Sequence, residues 1–269
     1  MKREYVIGID FGTDSVRALI VATDNGDEMA SAVSAYPRWS KGLYCNPKVN
    51  QYRQHPQDYI DSLTEAVTAA VGECDEQVRE NIVGLSFDCT ASTPVLTDSA
   101  GTPLALLPEF AEHPDAMFIL WKDHTAIAES DKINEVAKRW HTDYTKYGGG
   151  NHSCEWVWAK MLHSLRVAPE LREKAYSWME HCDWISALLA GNTTPETIAR
   201  SRCAAGHKAM WHAEWGGMPE WAFWDEVDPL LQIFNGHLFE QTFTSDTSAG
   251  GLCKEWAERL GLRRVLPLA

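Results

Sequence analysis

The sequence lacks any apolar run close to the roughly 20 residues that a membrane-spanning helix needs. Its first ten residues, MKREYVIGID, carry two basic side chains but lead directly into a strand pattern. They contain neither the apolar core nor the small-residue cleavage site of a secretory signal peptide. We therefore expect a cytoplasmic protein that has no membrane partner.

Basic residues are scarce, since Lys and Arg number 24 against 38 Asp and Glu, which gives a net charge of −14. The phosphate backbones of nucleic acids select basic surfaces, so this balance argues against DNA or RNA as the main partner. A small phosphate compound is still compatible with it. Backbone N–H groups, a magnesium ion and a few lysines can bind such a compound locally.

Paired cysteine motifs are also missing. The seven cysteines are odd in number and scattered in spacing, and no C-x-x-C pair occurs among them. This pattern predicts free thiols in a reducing compartment and disfavours a zinc site. The residues are Cys45, Cys74, Cys89, Cys154, Cys182, Cys203 and Cys253.

The first part of the chain has the pattern of a sheet with one crossover helix. With 45% hydrophobic residues among 269, the chain can build a globular core. Patterning predicts three strands over residues 5–35, a helix over 56–73 and a buried strand over 81–88, an α/β arrangement. Asp10 and Asp88 end the first and fourth strands. Because ligands bind at the carboxyl ends of strands in open sheets, we expect both carboxylates to face one cleft.

The loop between the first two strands, within VIGIDFGTDSVRALIVAT (6–23), is rich in small and polar residues. It offers a glycine that can adopt positive φ, closely spaced N–H groups, two hydroxyls and two carboxylates. Two interpretations stay open, an ordinary hairpin turn and a cradle for a magnesium-bound phosphate. The loop is not a Walker A motif, because no Lys follows the glycine, and it is not a dinucleotide-binding fingerprint.

The second half of the chain, residues 117–260, is mostly helical by pattern. The stretch 191–212 is predicted to be a loop or a short hairpin that carries Lys208. Many of the 12 tryptophans lie in this half, which favours core packing, although an aromatic wall against a sugar ring is an alternative. Helical periodicity predicts helices over 124–140, 153–169, 169–191 (one or two) and 248–262.

Five segments resemble those of a known family. They are GIDFGTDSVRA (8–18), DCTASTP (88–94), PEFAEHPDAMFILWKDHTA (108–126), CAAGHKAMWH (203–212) and WGGMP (215–219). Together they resemble the FGGY carbohydrate kinases of the actin-like ATPase superfamily, and within that family the ribulokinases. The first segment is similar to the family's first phosphate loop, the second to its sugar-side loop and the third to its W-x-D segment. The likeness runs from residue 4 to about residue 262.

The resemblance implies an α/β fold, namely an actin-like ATPase (ribonuclease-H-like) domain with a mixed sheet and a large helical insertion. Residues 1–269 would form an N-terminal kinase domain, with the sheet core over about 4–100 and the insertion over about 110–262. The second, nucleotide-binding domain of the family is expected to be absent from this chain. So is the next strand of the sheet, which would leave an unpaired edge that favours a homo-oligomer.

The implied activity is ATP-dependent phosphorylation of L-ribulose to L-ribulose 5-phosphate in L-arabinose catabolism. ATP and Mg²⁺ are the implied cofactors, and a small sugar is the implied partner. The catalytic base of the family is expected beyond residue 269, so no catalytic residue is assigned and the chain alone is expected to be inactive. The alternatives are a non-catalytic fragment that binds sugar or phosphate weakly, and a kinase for D-ribulose or xylulose.

The resemblance also implies roles for individual residues. Asp14 stands where many relatives have Thr, so we do not expect it to be a direct phosphate ligand. The metal residue would be Asp10, the ATP phosphates would lie among Gly12, Thr13, Ser15 and Arg17, and the substrate would contact Asp88, Ala91, Ser92, Lys122, Asp123 and Lys208.

Three of these residues have simpler alternatives. Asp88 could cap the loop that follows it. Asp123 could be the N-cap of a helix that starts at residue 124. Lys208 could be a solvated lysine on a loop.

Overall fold

The computed structural model describes residues 3–262 and 267–268. Met1 and Lys2 lie outside these residues, as does the tail RRVLPLA apart from Pro267 and Leu268. The described strands are β1 (Tyr5–Phe11), β2 (Ser15–Ala22), β3 (Glu28–Ala35), β4 (Cys45–Asn46), β5 (Gln51–Gln54), β6 (Ile82–Cys89), β7 (Pro94–Thr97), β8 (Phe118–Ile119), β9 (Ser177–Glu180), β10 (Gly250–Gly251) and β11 (Pro267–Leu268). The described α-helices are α1 (Pro56–Glu73), α2 (Glu76–Glu80), α3 (Ile127–Ala137), α4 (Val157–Val167), α5 (His181–Ala190), α6 (Arg202–Lys208), α7 (Trp221–Val227) and α8 (Lys254–Leu260).

The main sheet has the strand order β10-β11-β6-β1-β2-β3. β1 and β3 lie antiparallel to β2, whereas β6 lies parallel to β1. Short turns are enough to join the antiparallel strands, but a parallel partner needs a long crossover, which the segment containing α1 provides. The mixed sheet is confirmed, and the predicted β-β-β-α-β order holds for its strands, although the short strands β4 and β5 of another sheet lie between β3 and α1.

Helix α1 covers one face of this sheet. Pro56 occupies its first turn, and the side chain of His55 accepts a hydrogen bond from the N–H of Gln57. A buried stripe on the helix packs against β2 and β3, as helical periodicity predicted. The stripe consists of Tyr59, Leu63, Ala66, Val67 and Ala70.

The sheet continues beyond β6, contrary to the expected unpaired edge. β11 pairs with β6 in parallel through Leu268 and Leu85, and β10 pairs with β11 in antiparallel fashion. The prediction is wrong here because the tail itself supplies a short strand. On the side of β6 that faces away from β1, Leu85 alone is paired with β11 among the described residues.

Three segments of the second half also differ from the prediction. Residues 177–180 form β9, which pairs antiparallel with β7, and are not part of a helix. Residues 202–208 form α6 and not a loop, because the hydroxyl of Ser201 accepts a hydrogen bond from the N–H of Ala204 and caps the helix. Helix α3 begins at Ile127, three residues later than the pattern indicated.

Three tryptophans of this half lie together in its core. Trp158 stacks on Trp224 with ring centroids 4.0 Å apart, and Trp178 meets Trp158 edge-on at 5.7 Å. All three side chains are buried in a hydrophobic cluster separate from that of the main sheet. The core-packing interpretation is therefore confirmed for them.

The structure describes the side chains of all seven cysteines. All seven cysteines are free thiols, as their spacing predicted. Among the helices of the described residues, none combines the length and the apolar character that crossing a bilayer requires.

Two histidines are buried without hydrogen-bond partners for their ring nitrogens among the described residues. His152 meets Trp156 edge-on, and His181 stacks on Tyr59 with centroids 3.9 Å apart. Burial lowers the pKa of each imidazole from its ordinary value of 6.5 to about 3. Between these pH values the unfolded chain binds a proton at each position that the folded chain does not, so stability falls as the pH falls through this window.

We expect the His181→Phe variant to lose less stability than the parent protein on acidification. The variant has no imidazole at position 181 that folding must keep unprotonated. This difference amounts to about 2 kcal/mol in the free energy of unfolding by pH 5. Urea unfolding at pH 7 and pH 5 measures it. The exposed His141 supplies the control, because His141→Phe should leave the acid-induced loss unchanged. Equal losses in the parent and in His181→Phe would contradict the expectation.

Candidate functional site

The loop between β1 and β2 is a tight turn held by its own backbone and by neighbouring side chains. The N–H of Gly12 donates to the carbonyl of Ser15 at 3.0 Å, and the hydroxyl of Tyr36 donates to the carbonyl of Gly12 at 3.1 Å. Gln54 donates to the carbonyl of Thr13 at 2.7 Å. Gly12 does not adopt positive φ, contrary to the expectation. A Cβ at Gly12 would meet the Ser15 carbonyl at 3.4 Å.

Two indole groups hold the polar side chains of this loop. Trp39 Nε1 donates to Asp14 Oδ1 at 2.6 Å, and Trp121 Nε1 donates to Thr13 Oγ1 at 3.2 Å. The Asp14 carboxylate thus has a protein partner, in line with its exclusion as a phosphate ligand. The second contact connects the loop to the W-x-D segment at residues 121–123.

Asp10 and Asp88 lie side by side at the carboxyl ends of two neighbouring parallel strands. Asp10 is the register partner of Asp88 on β6 and of Arg17 on β2. All three line one open cleft of about 420 Å³ together with Ser86. The structure therefore brings the two carboxylates together in one cleft, as expected from their positions at strand ends. Asp88 also accepts a hydrogen bond from the N–H of Cys89 at 2.9 Å, as the capping alternative required.

The donor chemistry of this cleft suits magnesium better than a metal bound by protein alone. In the described part of the chain, no three His, Cys, Asp or Glu side chains converge to form a metal site. Mg²⁺ usually keeps several waters and binds through one or two carboxylates and the phosphates of a substrate. Asp10 is exposed and adjoins the phosphate-loop candidate, so its carboxylate fits that pattern.

The sugar-side candidates begin with the loop after β6. Ser92 has a φ of 60°, which is uncommon for a residue with a side chain. Its carbonyl accepts a hydrogen bond from Lys160 Nζ at 2.6 Å, and the N–H of Thr93 donates to Glu180 Oε2 at 2.9 Å. Ala91 lies within the same loop, next to Ser92.

Lys122 and Asp123 occupy very different environments. Lys122 Nζ lies over the rings of Trp39 and Tyr52, at 4.9 and 4.6 Å from their centroids. Asp123 is fully buried and forms a salt bridge with Arg53.

The position at which α3 begins excludes the alternative role of Asp123 as a helix cap. Its carboxylate also accepts hydrogen bonds from the N–H groups of Tyr52 at 2.6 Å and Thr125 at 3.0 Å. The cap of α3 is Ala126, so the N-cap interpretation is wrong. Through these bonds Asp123 holds its own segment against the strand that contains Tyr52.

Lys208 ends helix α6 and is half-buried, so it is not a solvated lysine on a loop. Its Nζ lies 5.6 Å from the ring centroid of Trp156.

Curated relatives match nearly the whole chain. None of the protein-family models matches the chain. It is 48% identical to the ribulokinase of Vibrio parahaemolyticus over 268 residues, which are 99% of this chain and 47% of that protein. The chain is homologous to ribulokinases. A second ribulokinase, from Shouchella clausii, is 37% identical over 98% of this chain and 46% of its own length. The ribulokinase homologue thus spans about half the length of the curated relatives it matches.

Solved structures confirm the fold of the ribulokinase homologue. A xylulose kinase from Rhodospirillum rubrum has a TM-score of 0.74 at 18% identity, over 98% of this chain and 48% of that one. A glycerol kinase from Plasmodium falciparum, solved with ADP, has a TM-score of 0.72 at 13% identity, over 99% and 48%. The expected fold class, an α/β domain with a mixed sheet, is confirmed, and it is the fold that these kinases have over about half of their length.

Two residues of the ribulokinase homologue were missed by sequence reasoning. Lys160 and Glu180 are buried against the loop that carries Ser92. The signal for Lys160 was a lysine inside the apolar run VWAKML of a predicted helix, where charged residues are rarely buried without partners. Glu180 gave no such signal, because its strand was predicted to be helical.

Proposed function

We propose that this chain provides the sugar-binding and phosphate-binding domain of a cytoplasmic ribulokinase. The reaction would transfer the terminal phosphoryl group of ATP to L-ribulose and yield L-ribulose 5-phosphate, a step of L-arabinose catabolism. The observation that carries the proposal is the 48% identity to a ribulokinase over 99% of the chain. The adjacent carboxylates at the ends of β1 and β6 support it, because they suit phosphoryl transfer.

On the phosphate side, backbone N–H groups and hydroxyls of the β1–β2 loop would bind the terminal phosphates of ATP. The residues with this proposed role are Gly12, Thr13, Ser15 and Arg17. Asp10 would hold Mg²⁺, which neutralises phosphate charge when it is bound. The antiparallel pairing of Arg17 with Asp10 supports these assignments, because it puts a positive charge next to that carboxylate.

On the sugar side, the proposed contacts are Asp88, the loop residues Ala91 and Ser92, Lys122 and Lys208. The carboxylate of Asp123 is buried among protein donors, so we assign it a positioning role for the neighbouring Lys122. In this proposal Lys208 donates a charged hydrogen bond to a hydroxyl or keto oxygen of the sugar. We also propose that residues 4–100 and 110–262 act as sheet core and helical insertion of one kinase domain.

A sugar titration of the chain tests the proposal. We expect L-ribulose to bind and the Lys208→Met variant to bind it roughly 10- to 150-fold more weakly, because one charged hydrogen bond is lost. Amide chemical shifts in NMR spectra report the binding, with D-ribulose and D-xylulose titrated in parallel. Tighter binding of either competitor would reassign the substrate to another pentulose.

The control is Lys174→Met, which removes an exposed lysine elsewhere on the surface. It should leave the affinity for L-ribulose unchanged. If Lys208→Met and Lys174→Met bind the sugar alike, Lys208 is not a sugar ligand. If the parent chain binds no pentulose at millimolar concentration, the proposed function of this domain is rejected.

A further inference from the structure

The loop between β6 and β7 adopts a conformation that its own sequence does not favour. Ser92 has a φ of 60° although it is not a glycine, and its side chain is buried. Residues other than Gly, Asn and Asp rarely occupy this region, so surrounding contacts must hold the backbone there. Two buried charged residues make those contacts.

The first is Lys160, which projects from α4 and is completely buried. An ammonium group has three donors, and here each meets a backbone carbonyl. The Nζ–O distances are 2.6 Å to Ser92, 3.0 Å to Leu120 and 3.3 Å to Ile119. Lys160 therefore ties the sugar-side loop to the segment that leads directly into Lys122.

The second is Glu180, the last residue of β9, which is also buried. Its Oε2 accepts a hydrogen bond from the N–H of Thr93 at 2.9 Å, on the other side of the Ser92 carbonyl. Its Oε1 has no hydrogen-bond partner among the described residues. The loop is thus held from both sides, by a donor at Ser92 and by an acceptor at Thr93.

The two side chains also depend on each other electrostatically. Burial lowers the pKa of Lys160 and raises the pKa of Glu180, while the attraction between the two groups opposes both shifts. Buried charged pairs can often be replaced by apolar residues without loss of stability. Stabilisation alone therefore explains poorly why two charged residues are buried here. A role in fixing the backbone of a binding loop explains it better.

We propose that Lys160 and Glu180 are a positioning pair that fixes the backbone of residues 90–94 in the conformation needed to bind the sugar. The identity of the sugar rests on the proposed function above. The effect on the backbone does not, because it follows from contacts that exist without ligand. Neither residue needs to touch the sugar itself.

The test separates loop geometry from stability. In Lys160→Met we expect amide hydrogen exchange at Thr93 to become at least about 10-fold faster, and L-ribulose to bind roughly 10- to 100-fold more weakly. The double variant Lys160→Met/Glu180→Gln removes both buried charges. It should recover thermal stability but not the slow exchange or the affinity, because the bond to the Ser92 carbonyl is still missing.

Leu162→Ala is the matched control, since it creates a cavity on the same helix and leaves both buried charged residues in place. It should lower the melting temperature and leave exchange at Thr93 unchanged at a temperature where the variant is folded. Unchanged exchange at residues 90–93 in Lys160→Met, or its full recovery in the double variant, would overturn the proposal. Faster exchange in Lys160→Met, together with a parent chain that binds no pentulose, would support the positioning pair and reject the proposed function.

Discussion

The 269-residue polypeptide, supplied with MgATP and L-ribulose, is expected to form sugar phosphate at least about 10²- to 10⁴-fold more slowly than a typical kinase. That factor is what general-base assistance contributes, and the described site offers no carboxylate free for the role. Asp10 is assigned to magnesium, Asp123 is buried among protein donors, and Asp88 is assigned to the sugar. The chain also spans only about half the length of the ribulokinases it matches.

Mass spectrometry of the sugar phosphate measures this turnover directly. The control is the ribulokinase of Vibrio parahaemolyticus, prepared and assayed in the same way. Turnover by the 269-residue polypeptide near the usual kinase range of about 1–100 per second would contradict the expectation. The catalytic base would then have to be sought at Asp88, whose carboxylate faces the cleft next to Asp10.

Removing the buried guanidinium of Arg53 is expected to cost about 3–5 kcal/mol of unfolding free energy. Arg53 is buried and contacts Asp123, Asp115 at 3.0 Å and Thr125 at 3.3 Å. In Arg53→Met the fully buried carboxylate of Asp123 loses its counter-charge. One unpaired charge in the interior destabilises a protein far more than the absence of both charges does. Urea unfolding at neutral pH measures the loss.

Two further variants decide whether the unpaired charge is the cause. Arg53→Met/Asp123→Asn removes both charges and should recover most of the loss. Arg139→Met removes one partner of an exposed ion pair with Glu226 and should cost less than about 1 kcal/mol. A double variant as unstable as Arg53→Met would show that lost packing of the arginine stem is responsible instead.

Local patterns predicted the elements whose signals lie within a few residues. The three antiparallel strands and α1 follow from alternation, turns and one apolar stripe. Strand β9 was missed because its four residues are all buried and continue directly into α5, so the whole run has the composition of a buried helix. Helix α6 could have been found, because Ser201 stands at its N-cap position.

Some features of the candidate site were likewise predicted from local patterns, and others were not. Asp10 and Asp88 were predicted together because each ends a strand, and strand ends of a parallel pair meet. The partners of Asp123 and Lys160 were not predicted, because Asp123 bonds to Arg53, 70 positions away, and Lys160 to Ser92, 68 positions away. Such contacts depend on how distant elements pack, and a single sequence contains no local signal for them.

The hydrogen bond from Trp121 to Thr13 joins the proposed phosphate surface to the segment that carries Lys122 of the proposed sugar surface. Binding free energies at coupled surfaces are reciprocal, so the factor by which a sugar changes phosphate affinity equals the factor by which phosphate changes sugar affinity. Equilibrium affinities therefore do not give an order in which the two substrates bind. The ligand that predominates is then decided by the concentration of each ligand relative to its dissociation constant, and Trp121 is the side chain through which we expect the two proposed surfaces to be coupled.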